Sequence, residues 1–222
     1  MSTSLPLLSL LETRVLGVLV EKERTVPDTY PLTLNALTAG CNQKSSRHPV
    51  LSASDQEVQA TIDHLKSLSL VMETSGGRVM RYAHNVGRVL QVPPQSVAIL
   101  AILFLRGPQT PGELRINSER LHKFGDLLAV QAFLDELAER PAGALVKELP
   151  RQPGARENRW MHRLSGEPSD DAPAGTVDTT SDAIGASELA TLRAEIAELR
   201  DQVGALKETV DGLSKELGLL PP

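Results

Sequence analysis

One order of elements, three helices and then a hairpin, is written twice in this sequence, and few architectures accommodate both copies. In the first copy, Ser9-Leu10-Leu11-Glu12 has capping-box spacing: serine caps an orphan N–H and the glutamate three residues on reaches back. Leu11, Val15, Leu16, Val18 and Leu19 then form a helical stripe. Val26-Pro27-Asp28 breaks it, and a short second helix is expected over 32–39, with Gly40 as its stop. A polar loop follows over 41–49. Ser54-Asp55-Gln56-Glu57 repeats the capping box ahead of a helix with Val58, Ile62, Leu65 and Leu68 on one face. Residues 70–74, a Ser75-Gly76-Gly77 turn and residues 78–82 read as a β-hairpin with a glycine tip.

The second copy opens at Pro93-Pro94. Val97, Ile99, Leu100, Ile102, Leu103 and Leu105 make a strongly apolar helix that ends at Gly107-Pro108. Thr110-Pro111-Gly112-Glu113 places an N-cap, an N1 proline and an N3 glutamate in sequence, and a short helix is expected to about Leu121. Asp126 can cap a third helix carrying Leu127, Val130, Leu134 and Leu137. Residues 144–149, a turn over 150–156 and residues 157–164 read as a second hairpin. Three helices followed by a hairpin is the order of a winged helix, a helix-turn-helix with a β-hairpin wing. The fold expected is therefore α+β and mostly helical: two tandem winged-helix domains over 7–90 and 91–166.

Beyond the body, residues 167–187 turn to Asp, Ala, Gly, Thr, Ser and Pro, the composition of a flexible acidic linker. Over 188–218, Leu189, Leu192, Ile196, Leu199, Val203, Leu206, Val210, Leu213 and Leu217 alternate spacings of three and four. With Leu189 at position a, every d is leucine, and β-branched residues fill most later a positions. That combination favours a parallel two-stranded coiled coil. Glu188 can meet Arg193 of a second copy, and Glu195 can meet Arg200. Gly204 and Gly212 each cost about 1 kcal/mol of helix propensity relative to alanine, so the zipper is modest. These residues are the expected dimerisation seam of a parallel homodimer. The alternative is an amphipathic helix packed back on its own body.

The net charge of −5 conceals an asymmetry. Residues 1–164 hold 19 Lys and Arg against 16 Asp and Glu, whereas residues 165–222 hold 4 against 12. The body is mildly basic and the tail acidic, so whole-chain charge is a poor guide to what the body binds. A single cysteine excludes an internal disulfide framework. No apolar run approaches the roughly 20 residues needed to span a bilayer, and residues 1–11 lack the basic start of a signal peptide. A cytoplasmic, non-membrane protein is expected.

Nothing in the sequence resembles an enzyme's constellation. His48, His64, His84, His122 and His162 are scattered, and there is no P-loop, GxGxxG, HExxH or CxxC. No catalytic residue, metal ligand or cofactor is expected. Nucleic-acid binding, with DNA as the partner and a regulatory or chromosome-associated role, is the leading reading. Lys44, Arg47, Arg78, Arg81, Arg151, Arg156 and Arg159 are the candidate phosphate contacts, and Gln56 and Gln59 the candidate base readers. Lys147 and Arg163 add to the second wing. Against it, both third helices carry carboxylates, Asp55, Glu57 and Asp63 in one and Asp135, Glu136 and Glu139 in the other. The alternative is a dimeric protein–protein interaction scaffold that binds no DNA and serves an unknown protein partner. A thiol switch at Cys41, whose neighbours Lys44 and Arg47 could favour thiolate, is a further alternative. For residues 41–49, the readings are a contact loop for phosphate or a partner, or side chains of Asn42 and Gln43 bonded to the end of the second helix.

Several strings carry a family resemblance: Glu12-Thr13-Arg14-Val15, Tyr30-Pro31-Leu32-Thr33, Cys41-Asn42-Gln43-Lys44, Gln109-Thr110-Pro111-Gly112-Glu113-Leu114-Arg115, Pro153-Gly154 and Trp160-Met161-His162. Together they resemble the YceH-like family of bacterial proteins, densely over residues 7–166. The resemblance implies a tandem winged-helix fold. It implies no activity, substrate or site residue.

Overall fold

The computed structural model describes residues 7–75, 79–152 and 154–166. The linker over 167–187 and the heptads over 188–218 lie outside the described residues. About half of the described residues are in α-helix, somewhat less than the expected mostly helical body, and two small antiparallel hairpins accompany them.

The first unit comprises α1 (Leu10–Thr25), a 3-10 turn (Pro27–Thr29), α2 (Leu34–Cys41), α3 (Asp55–Ser67), β1 (Val71–Ser75) and β2 (Met80–His84). A short α4 (Val86–Leu90) leads to the second unit. That unit comprises α5 (Pro94–Arg106), α6 (Pro111–Asn117), α7 (Leu127–Ala138), β3 (Val146–Glu148) and β4 (Trp160–His162). The capping boxes at Ser9/Glu12, Ser54/Glu57 and Thr110/Glu113 all form, and Asp126 caps α7 through the Ala129 N–H. Each satisfies helix N–H groups that would otherwise be orphaned.

The two units correspond element by element, and one feature strengthens the match. Leu32, just before α2, bridges Tyr82 of β2, and Gln109, just before α6, bridges Trp160 of β4. Both bridges exchange two backbone hydrogen bonds, at 3.1 and 2.8 Å in the first and 3.0 and 2.7 Å in the second. Each hairpin thus gains a one-residue third strand, with a buried aromatic at the junction.

α1 and α5 explain why both copies share one core. Residues 12–20 of α1 and Ser96 to Leu105 of α5 are buried on all sides, the state expected of a central helix. The two helices pack along each other, and Gly17 permits it: a Cβ there would lie 2.8 Å from Leu105 Cγ and 3.2 Å from Phe104 Cβ. One contiguous cluster of mainly aliphatic side chains, with Tyr82, Phe104, Phe124 and Trp160 among them, runs from Leu8 to Leu164. Polar ties reinforce the seam. The Leu8 N–H donates to the Leu164 carbonyl at 2.6 Å, the His48 N–H to Leu105 at 2.7 Å, and Arg140 Nη2 to Leu90 at 2.5 Å.

Some boundaries differ from the sequence expectation. The second helix starts two residues later, capped by Thr33, and Gly40 lies inside it instead of stopping it. A Cβ at Gly40 would come within 2.6 Å of Val18 Cγ1, so this glycine serves close helix approach. α6 ends at Asn117, four residues short of expectation, and the second hairpin is only three residues deep. α4 has no periodic signal in the sequence.

Candidate nucleic-acid interface

The candidate residues divide into those held inside the molecule and those left at its surface. Arg47 is the clearest correction: its side chain is wholly buried. Its guanidinium donates to both Glu21 carboxylate oxygens, at 3.2 and 2.6 Å, and to the carbonyls of Gly40 (3.1 Å) and Ser46 (3.0 Å). A cation so enclosed cannot reach a phosphate, and its work is to fasten the 41–49 loop to α1. Gln59 is also committed: its amide donates to Asp63 at 3.2 Å and accepts from the Tyr82 hydroxyl at 3.1 Å. It joins α3 to its hairpin and has no free edge for a base. Arg81 is half-buried and donates to the carbonyls of Thr29 (3.2 Å) and Pro31 (2.8 Å). Arg159 donates to the Pro108 carbonyl (2.9 Å) and pairs with Glu113 (3.1 Å).

Lys44, Gln56, Arg151 and Arg156 are exposed. Arg78 lies outside the described residues. Lys147 and Arg163 are each already engaged in an interaction. Sequence reading passed over further exposed cations, among them Arg115 on α6 and Arg120 and Lys123 in the connection to α7. The signal for them was their spacing across a segment expected to be helical to its end.

The outward faces of α3 and α7 carry different chemistry. Asp55, Glu57 and Asp63 are exposed on α3. The Ser54 cap holds the Glu57 carboxyl below the usual range through hydrogen bonds from its N–H and hydroxyl. On α7, Asp135, Glu136 and Glu139 are exposed beside Leu127 (45% exposed) and Leu128 (78%), and Ile116 of α6 is 72% exposed. Neither helix offers the Arg, Asn or Gln pairs that read base edges, apart from Gln56 and Gln131, and Gln131 donates to Asp135 at 2.8 Å.

The 41–49 loop is anchored from within. Asn42 clasps Ala53, donating to its carbonyl at 2.7 Å and accepting from its N–H at 2.8 Å. It therefore orders the entry to α3, not the end of α2. Arg14, fully buried in α1, donates to the carbonyls of Cys41 (3.1 Å) and Pro49 (2.7 Å). The Tyr30-Pro31 and His48-Pro49 peptides flanking this region are cis. Cys41 is completely buried, and burial pushes its thiol up to about 12 despite the nearby charges of Arg14 and Arg47. That overturns the expectation of a thiolate favoured by Lys44 and Arg47.

Across the seam, the loop meets the second unit. Arg106 Nη2 donates to Ser46 Oγ at 2.8 Å, and the His48 N–H bonds Leu105 at 2.7 Å. On the following residues, Arg159 bonds Pro108 and Trp160 bridges Gln109. Residues 105–109 thus run between the first unit's loop and the root of the second hairpin, whose connection carries Arg151 and Arg156.

The histidines do not converge. His64 contacts Glu12, and His84 Nε2 meets Glu23 at 3.2 Å. Burial alone would raise the Glu12 carboxyl, but the Ser9 N–H and His64 outweigh it and hold it below the usual range. His162 is half-buried in a T-shaped contact with Phe104, and burial lowers its pKa to about 4. Among the described residues, no three His, Cys, Asp or Glu side chains are grouped to hold a metal ion, and no helix is long and apolar enough to cross a membrane.

Fold and surface together define a non-convergent, charge-patterned α+β body made from one unit repeated. Residues 8–155 match the family described as "Protein of unknown function, DUF480". A UPF0502 protein of Dechloromonas aromatica (strain RCB) is 58% identical over 194 residues, covering 87% of this chain and 90% of the relative. One from Burkholderia vietnamiensis is 56% identical over 210 residues, covering 94% and 89%, and one from Burkholderia lata is 59% identical over 184 residues, covering 83% and 78%. The chain belongs to the DUF480/UPF0502 family, as the sequence strings implied.

Proposed function

We propose that this chain is a non-enzymatic tandem winged-helix protein that binds duplex nucleic acid through its phosphates, without reading sequence. In this reading the third strand supplied by Leu32 and by Gln109 completes the winged-helix sheet of each unit. The observation that carries the reading is a group of exposed cations with no carboxylate partner among the described residues: Lys44 on the first unit's loop, and Arg115, Arg120, Lys123, Arg151 and Arg156 on the second unit. Phosphate neutralisation supplies most non-specific affinity, and these side chains can provide it. The carboxylates of α3 and α7, with Gln59 already engaged, argue against entry into the major groove. Dimerisation through the 188–218 heptads would double the contacts and raise avidity.

Replacing Arg151 and Arg156 with alanine tests this. Binding to unrelated duplexes is expected to weaken alike, and the salt slope to fall by about 2 for each chain. A loss confined to one sequence, or no loss at all, would remove the second hairpin from the interface.

A second reading, a protein-interaction scaffold, is favoured by one observation. Leu127, Leu128 and Ile116 lie exposed around the start of α7, close to its carboxylates, which suits a basic, apolar partner surface better than DNA.

A further inference from the structure

Around residues 43–46 the structure gathers more positive charge than it neutralises. Arg14 lies fully buried beneath this loop, bonded only to the carbonyls of Cys41 and Pro49, and its Nε has no partner. Arg106 reaches in from α5 of the second unit and spends one of its five donors on Ser46 Oγ at 2.8 Å. Glu21 is the one carboxylate bonded in this region among the described residues, and Arg47 occupies both its oxygens. Buried cations are normally paired, yet Arg14 and Arg106 have no carboxylate of their own. Burial lowers the pKa of both and the charge of Arg47 lowers each further, while Glu21 offsets only part of this for Arg106. Lys44 stands exposed on the same loop.

The backbone adds donors. Ser46 is held at φ +59°, the left-handed conformation that recurs in anion-binding nests. The N–H groups of Gln43, Lys44, Ser45, Ser46 and Arg47 make no hydrogen bond to the described residues, whereas that of His48 is bonded to Leu105. Loop N–H donors, a lysine on the loop and a guanidinium from the second unit, bonded to the loop at Ser46 Oγ, are thus brought to one segment. A tetrahedral anion with several oxygens can use all of them.

We infer that residues 43–46 together with Lys44 and Arg106 form a binding site for a phosphate group at the seam between the two units. The occupant is either inorganic phosphate or a phosphodiester of a nucleic-acid strand. In the second case the site deepens the proposed function and rests on it; in the first it stands alone. Because Arg106 belongs to the second unit and the loop to the first, the bound anion also braces the seam.

The test titrates inorganic phosphate into the full-length protein at constant ionic strength, read by calorimetry and by thermal melting, with chloride as the control salt. The wild type is expected to bind one phosphate per chain saturably, with a Tm rise of about 4 °C at ten times the Kd. Arg106→Gln should weaken binding at least tenfold. Lys44→Ala, at an exposed position that cannot upset folding, should weaken it severalfold. No saturable binding by the wild type, equal stabilisation by chloride, or wild-type affinity in Lys44→Ala and Arg106→Gln would overturn the site. A parallel arm uses duplex DNA. Phosphate binding without DNA binding keeps the site, assigns it to free phosphate and removes the nucleic-acid reading. DNA binding that neither substitution changes, with no uptake of inorganic phosphate, keeps that reading and removes the site.

Discussion

Arg47→Ala separates a structural arginine from a surface one. The wild-type side chain has no exposure, and it satisfies both oxygens of Glu21 and the carbonyls of Gly40 and Ser46. Removing one partner of a buried ion pair costs about 3–5 kcal/mol, because the other charge is left uncompensated. Two features place this case at the lower end. Glu21 retains 17% exposure, so water can reach it, and losing Arg47 relieves the repulsion it exerts on Arg14 and Arg106. A cost of about 3 kcal/mol corresponds, for a body of this size, to a Tm lowered by about 6–12 °C. Urea and thermal unfolding followed by circular dichroism measure it directly. A double-mutant cycle with Glu21→Gln should show strong coupling, since each single change strands the same partner. Arg47→Lys should recover little, because an ammonium cannot reproduce the fork. If Arg47→Ala melts within about 1 °C of the wild type, Arg47 is not a buried tie and the reasoning fails.

Other outcomes follow from the same packing. Gly17→Ala should destabilise by about 2 kcal/mol through overpacking against Leu105, and Leu105→Ala in the same chain should recover part of the loss; additive unfolding energies would deny the close contact of α1 and α5. Burial lowers the His162 pKa in the folded chain to about 4, from 6.5 for an unperturbed imidazole, so the unfolded chain binds its proton more readily. Its contribution is complete above pH 6.5 and is lost as pH falls toward 4, by at most about 3 kcal/mol. His162→Gln should flatten the stability profile between those pH values, and an unchanged profile would place the titration elsewhere. Truncation after Gly166 is expected to give a monomer in sedimentation; a dimer of unchanged stability would move the interface into the body.

Local chemistry made much of the fold legible. Serine or threonine three residues ahead of glutamate marked three helix starts, and the aliphatic spacing marked which faces turn inward. Gly76-Gly77 and the polar turn over 150–156 marked two hairpins. What stayed hidden depends on distance along the chain. Arg47 finds Glu21 26 residues away, Arg81 finds Thr29 52 residues away, and Arg159 finds Pro108 51 residues away. Each is polar in sequence and consumed in structure, so a basic string marks a surface only when no acid or carbonyl is folded against it. Gly40 misled for a related reason. A glycine near a helix end suggests a stop, but Val18 across the interface is what requires it. The Leu32 and Gln109 bridges are single residues, too short for alternation to reveal. α4 is also too short, at five residues, for periodicity to register.

The central proposal is phosphate contact without sequence reading, and binding of the full-length protein to random-sequence duplex DNA across a salt series tests it most directly. With Lys44, Arg115, Arg120, Lys123, Arg151 and Arg156 each neutralising a phosphate, log K should fall against log salt with a slope of about −5.4 per chain, equal for unrelated duplexes. No binding at low salt would mean that the carboxylates of α3 and α7 prevail, and would contradict the proposal in favour of the protein-interaction scaffold.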